Sequence, residues 1–275
     1  MSPARAIALL GALAGCGTDP PADPPITDEY IPLITADWTL PSGREAYVCS
    51  TRTLTQDTYA GSLRPIGPPG THHTVITLGP PDGPDRDSFW CGPEFGDFWT
   101  SGLGTGEIVL PDGVALLAPA GLQLRLSLHL FNAGDAPLSG TSGLEIRRLP
   151  PSRVVHEAHV TSHGPYAFSI PPDGLPHTAM HQTSLGDRTL VALFPHMHQL
   201  GRHFRARILT AGGATTLWDD DYQFESQELA PLPSVAVHAG DQLETACTWV
   251  NTTSAPVTWG DSSRAEMCFS ILMSY

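Results

Sequence analysis

The sequence predicts an all-β protein made of two tandem antiparallel β-sandwich domains, and three observations carry that expectation. Glycine and proline number 27 each in 275 residues, about a fifth of the chain against an average near ~12%. Only 15% of the residues are charged. Such punctuation argues against helical bundles and for short strands joined by turns. Apolar residues recur with period two rather than the helical period. The length fits two domains of the usual size, each able to bury a core.

Read from the start, residues 1–16 form an export signal. One cation, Arg5, precedes an apolar stretch from Ala6 to Gly15 that is too short to span a bilayer as a helix. Leu13-Ala14-Gly15-Cys16 resembles a bacterial lipobox, with Cys16 the lipidated residue. Gly17 after it resembles lipoproteins sent to the outer membrane. A membrane contact by lipid anchor only, on the periplasmic or cell-surface face, is therefore expected. Residues 17–28 carry four prolines and little apolar content, the composition of a disordered tether.

Strands follow from Tyr30 onward. The clearest is 122–130, where five leucines alternate with Gln123, Arg125, Ser127 and His129, which predicts one buried face and one polar face. Residues 204–208 alternate in the same way, and 268–273 form a C-terminal strand. Turns are predicted at 67–70, 81–84, 171–174 and 211–213 from their Gly, Pro and Asp content. Arg147-Arg148-Leu149-Pro150-Pro151-Ser152 is polar and Pro-paired near the midpoint. It divides the chain into an N-terminal sandwich at 29–150 and a C-terminal one at 151–275.

Charge narrows the function. All 14 basic residues are Arg, and 28 acidic residues give a net charge of −14, which repels phosphate backbones and excludes nucleic-acid binding. Export into an oxidising compartment makes Cys49, Cys91, Cys247 and Cys268 disulfide candidates. Four cysteines allow three connectivities. One bridge in each half, Cys49–Cys91 and Cys247–Cys268, is the simplest.

Twelve histidines predict ~0.5 chance pairs at any fixed spacing, so no single pair proves a site. Their settings add weight. Residues i and i+2 of a strand share a face, so His196 and His198 can aim two imidazoles at one metal. Adjacent residues of a strand face opposite ways. His72 and His73 converge only where the strand starts irregularly, as the turn before Thr71 allows. His129, on the polar face of its strand, is a candidate third partner. The spacings His159/His163 and His177/His181 are metal-like but lack such a setting. The acidic run Asp219-Asp220-Asp221 reads as a solvated loop.

Thr71-His72-His73-Thr74-Val75-Ile76-Thr77-Leu78-Gly79, with Phe89-Trp90-Cys91 downstream, resembles the N-terminal half of the copper type II ascorbate-dependent monooxygenases. That family includes peptidylglycine α-hydroxylating monooxygenase and dopamine β-monooxygenase. In the same order, Leu126-Ser127-Leu128-His129-Leu130 is similar to the strand giving the third histidine of the first copper. His196-Met197-His198-Gln199-Leu200-Gly201 is similar to the HxHxxG segment, and Glu266-Met267-Cys268 to the EMC segment. The likeness runs from about residue 30 to 275.

The resemblance implies jelly-roll-like domains facing each other across a solvent-filled cleft, with two copper ions per chain. His72, His73 and His129 would hold the electron-transfer copper. His196, His198 and Met267 would hold the catalytic copper, and the disulfides would pair Cys49 with Cys91 and Cys247 with Cys268. Three imidazoles suit copper, with zinc as a competitor, and a thioether favours Cu(I). The activity implied is hydroxylation of a substrate C–H bond with dioxygen and ascorbate or a similar reductant. The alternative is a copper-binding lipoprotein for storage or delivery, without turnover.

Departures from the family bear on the substrate. In the peptide-amidating branch an Arg precedes the HxH by two residues, and an Asn and a Tyr follow the Met at two and four. Here those positions hold Phe194, Phe269 and Ile271. The expected substrate is a small molecule presenting an apolar or aromatic carbon, and peptide amidation is disfavoured.

Overall fold

The computed structural model describes residues 29–94, 96, 98–262 and 264–275. The expected export signal, Cys16 and the whole of the expected tether lie outside the described residues. The first half contains β1 (Ile31–Leu40), β2 (Arg44–Thr53), β3 (Thr58–Ile66), β4 (Thr71–Gly79), β5 (Arg86–Trp90), β6 (Trp99–Gly102), β7 (Ile108–Val109), β8 (Val114–Ala118), β9 (Gln123–Asn132) and β10 (Leu138–Arg148). A short 3-10 turn at Pro151–Arg153 leads into β11 (His156–His163), β12 (Ser169–Ile170), β13 (Pro176–Ser184), β14 (Arg188–His196) and β15 (Gly201–Thr210). The chain ends with β16 (Gly213–Asp221), β17 (Ala230–Val237), β18 (Gln242–Val250), β19 (Val257–Thr258) and β20 (Phe269–Ser274). Among the described residues there is no α-helix, so none that could cross a membrane.

The expected strands appear at 123–132, 201–210 and 269–274, and the expected turns fall between strands. A five-stranded sheet, β5-β2-β9-β4-β6, packs on the β1-β10-β3-β8 end of a nine-stranded sheet, to which β7 adds through β3. The other end of that long sheet, β11-β20-β14-β17, packs on a four-stranded sheet, β13-β18-β15-β16. Two sandwiches result, with two apolar cores.

The halves share more than a linker. Strand β11 pairs with β8 in parallel, from His156 opposite Val114 to Ala158 opposite Leu116, and with β20 on its other side. All six residues of β20 are buried. Phe269, Ile271 and Met273 point into the first core and Leu272 into the second. A strand buried on both faces reads as a near-continuous apolar run, and β20 does so apart from Ser270, whose buried hydroxyl bonds Thr245 at 2.7 Å, and the terminal Ser274.

The structure changes one detail of β9. Leu124, Leu126, Leu128 and Leu130 are fully buried as expected, but Gln123, Ser127 and His129 on the polar face are buried too. Gly83 and Asp85 of the first half bond Gln123 at one end of that face, while His129 at the other end meets the second half, where the site forms.

Both disulfides pair within their halves. Cys49 in β2 joins Cys91 just after β5, and Cys247 in β18 joins Cys268 just before β20, with Cα atoms 5.9 and 5.8 Å apart.

Candidate metal centre

The first cluster depends on a bulge. In the antiparallel pairing of β4 with β9, Thr71 faces Leu130 and His73 faces His129, and the register shifts between them. His72 is the extra residue, so two successive side chains reach the same side of the sheet. Gly70 makes the tight approach to this bulge possible. Its φ is 103°, and a Cβ there would lie 2.8 Å from the Trp38 ring.

His72, His73 and His129 then converge, each offering a ring nitrogen within 4.8 Å of the others. The Nδ1 atoms of His72 and His73 are 3.1 Å apart, and those of His73 and His129 are 3.3 Å apart. The far side of His129 is held in place: its Nε2 donates to the Glu45 carboxylate at 2.6 Å, and Tyr47 stacks on its ring at 4.7 Å. An N–H to carboxylate bond on Nε2 leaves Nδ1 as the free lone pair, a common support for metal-binding histidine. Burial and the neighbouring imidazoles bring His72 down to about 4 and hold His73 well below the usual range. His129 is also lowered by burial, partly offset by Glu45.

The second group lies across from the first. His196 ends β14, opposite Phe269, while His198 falls beyond the strand in the turn before β15. The two rings are perpendicular with centroids 5.2 Å apart, so a strand end and a turn replace the expected single strand. His196 donates from Nδ1 to Gln227 Oε1 at 2.9 Å, and His198 from Nδ1 to the Ala265 carbonyl at 3.1 Å. Both bonds leave Nε2 free. Burial, then the charge of His198, brings His196 down to about 3, and burial lowers His198.

The glycine of the HxHxxG segment has a steric role. A Cβ on Gly201 would lie 2.7 Å from Tyr222 and 3.0 Å from Met197. Glu266 braces the same turn from the other side, accepting from the backbone N–H of His198 at 2.9 Å and of Leu200 at 2.6 Å, and from the Trp249 indole at 2.9 Å. Burial pushes its carboxyl up to about 7 against those donors, which favour the ionised form.

Met267, His196 and His198 line one cavity together with His73 and His129. It is small, about 40 Å³, and Val75, Phe194, Phe224 and Ile271 make its walls largely apolar. Of the three side chains expected to shape a substrate pocket, Phe194 and Ile271 line it. Phe269 instead sits in the core, in ring contact with Tyr166 at 5.0 Å. The cleft between the two groups is narrow: the His73 and His196 ring centroids are 6.4 Å apart. A segment of the second half closes it. Gln227 and Phe224 come from the loop after β16, which lies so close to β6 that a Cβ on Gly102 would be 2.3 Å from the Gln227 carbonyl. Leu229 of that loop also donates to Thr105 at 2.9 Å.

Three of the other histidines are paired with carboxylates instead. His177 pairs with Asp173, His203 with Asp219 and His238 with Asp187. Among the described residues, the three-histidine group is the cluster of metal-ligating type. The residues sequence reasoning missed are Glu45, Tyr47 and Gln227, which meet the histidines only through strand register or a long loop.

The donor sets fit copper. Buried imidazoles kept neutral are ready to ligate without losing a proton first, and a thioether beside two of them is a Cu(I)-type set. Residues 173–275 match the family described as copper type II ascorbate-dependent monooxygenase, C-terminal domain. That match supports membership of this family, over the part of the chain that carries His196, His198 and Met267. No curated protein matches the chain. Among solved structures, the infectious bursal disease virus Gx strain is 11% identical over 91% of this chain and 73% of that one, with a TM-score of 0.22. The subviral particle of the same virus is 12% identical over 87% and 69%, with a TM-score of 0.19. Superpositions this poor carry no argument about fold or function.

Proposed function

We propose that the chain is a monooxygenase that hydroxylates a small-molecule C–H bond with dioxygen and an ascorbate-like reductant, using two copper ions. In this reading His72, His73 and His129 hold the electron-transfer copper, and His196, His198 and Met267 hold the catalytic one. The observation that carries it is the convergence of His73 and His129 from the first group with His196, His198 and Met267 on one cavity, with imidazoles kept neutral on each side. Copper supplies one-electron chemistry and the activation of dioxygen.

The chain's own residues supply the rest. Gln227 and the Ala265 carbonyl fix which nitrogens of His196 and His198 face inward. Glu45 does the same for His129. Phe194 and Ile271 exclude water and present an apolar wall to the substrate. A carboxylate beside them would be desolvated without a partner, so glycine-extended peptides are poor substrates. The reading includes export with Cys16 as a lipid anchor at the outer membrane, and division of labour between residues 29–150 and 151–275.

The test is anaerobic Cu(I) loading followed by oxygen consumption with ascorbate, across small aromatic and aliphatic C–H donors and one glycine-extended peptide. Oxygen uptake coupled to hydroxylation of an apolar donor is expected. Two bound coppers without turnover of any donor would favour storage or delivery, and efficient peptide hydroxylation would overturn the substrate reading.

A further inference from the structure

A second opening reaches the three-histidine cluster from the side away from the apolar cavity. It is a cleft of about 510 Å³ with His72 and His129 in its floor and Glu45, Phe131 and Arg202 among its walls. Only His129 of the first cluster lines both spaces, with Nδ1 toward the other histidines and Nε2 toward Glu45. Phe131 stands two residues along β9 from His129, hence on the same face, and is 49% exposed at the rim.

We infer that this cleft is the port for the reductant, and that it takes a small enediol anion of the ascorbate type. The inference rests on the dicopper reading above and deepens it. Substrate and reductant are chemically opposite here, one an apolar C–H donor and the other a polyhydroxyl anion. The two spaces differ in the same sense. Phe194 and Ile271 wall the inner cavity, whereas Gln199, Gln223 and Arg202 border the cleft.

Charge singles out Arg202. A chain of net charge −14 repels anions, so an anion needs a local cation. Arg202 is the only cation among the residues lining the cleft. Its Nη1 donates to the carbonyls of Gln199 and Gly201, and among the described residues no carboxylate pairs with it. The rest of its guanidinium is open to an anion. Two carboxylates also border the cleft, Glu45, bonded to His129, and Glu225, exposed on the rim, so the anion is held by direct contact with Arg202 and not by the net charge of the cleft.

The electrons balance as follows. With copper(II) held by His72, His73 and His129, each ascorbate monoanion would give up one electron to it and its hydroxyl proton to water at the rim, and would leave as the radical anion. Two such events supply the two electrons of one turnover, in which the substrate C–H bond and dioxygen become an alcohol and water with the uptake of two protons.

The test follows copper(II) reduction without oxygen or substrate, using rapid mixing of the copper(II)-loaded chain with ascorbate or with neutral hydroquinone. Reduction by ascorbate should saturate. Arg202→Gln should raise the half-saturating ascorbate concentration about tenfold, the equivalent of one charge-assisted contact, and change the hydroquinone rate less than twofold. Arg202 also braces the turn beside His198, so Phe131→Glu and Phe131→Lys read the port independently. The first should weaken and the second strengthen ascorbate, again sparing hydroquinone. Titration of the metal-free chain with ascorbate should show the same ranking. Unsaturable reduction, or equal effects on both reductants, would overturn the port while leaving the copper sites standing. Failure of the wild-type chain to bind copper would overturn the dicopper reading and the port together.

Discussion

Glu266 shows how much of the centre depends on one side chain that touches no expected ligand atom. Its carboxylate is fully buried and accepts from two backbone N–H groups of the turn holding His198 and from the Trp249 indole. A glutamine there must turn an NH2 toward at least one of those donors. Leaving a buried polar group unsatisfied costs about 1–3 kcal/mol. Glu266→Gln should therefore lower the melting temperature and deplete copper from the His196 side before the His72 side, read by calorimetry and metal analysis. An unchanged melting temperature would refute the bracing role. At this scale the candidate residues were legible, because His72-His73, His196-Met197-His198 and Glu266-Met267-Cys268 are local patterns. Glu45 and Tyr47 were not. They reach His129 only because β2 pairs with β9 in the register that sets Tyr47 opposite His129. Gln227 is 31 residues from His196, and nothing in its own neighbourhood marks it.

Elements explain why the candidate ligands converge. The period-two leucines of β9 and the mostly apolar run of β20 were readable because pleat geometry and two-sided burial leave direct patterns in sequence. The bulge at His72 was readable only as a requirement, since two adjacent histidines cannot share a face of a regular strand. The end of β14 at His196 was not readable, because the turn that carries His198 is held by Glu266 from a distant segment. Gly70 makes the bulge testable. With φ at 103° and Trp38 in the way of a Cβ, Gly70→Ala combines backbone strain with a clash, and such strain costs of order 1–3 kcal/mol. The variant should melt lower and lose copper from the three-histidine cluster selectively. Normal copper content on that side would mean the bulge does not set the site. The disulfides work at the same scale. Opening the Cys247–Cys268 loop of 21 residues by Cys247→Ser with Cys268→Ser should cost about 3 kcal/mol, if chain entropy dominates.

Across the whole molecule, the long sheet joins the two halves through the parallel contact of β11 with β8. Local patterning cannot reveal that pairing, since its partners are some forty residues apart. The far end of β11 carries a histidine that lines a cleft against Leu78, Gln123 and Arg125 of the first half. His163, the last residue of β11, bonds Thr161 at 2.9 Å, and burial, then Arg188 and His181, brings it down to about 4. The folded state keeps it neutral while the unfolded chain protonates near the usual 6.5. The unfolded state thus binds more protons between those values, and stability falls as pH drops from about 6.5 toward 4. Metal-free protein should melt lower at pH 5 than at pH 7, and His163→Gln should reduce that difference; an unchanged difference would contradict it. The central claim is that two unlike copper sites share one buried cavity. Copper X-ray absorption on the fully reduced, metal-loaded chain tests it most directly. The account predicts two coppers per chain and a sulfur scatterer that Met267→Ala removes while the imidazole shells remain; a reduced wild-type spectrum without sulfur would contradict it.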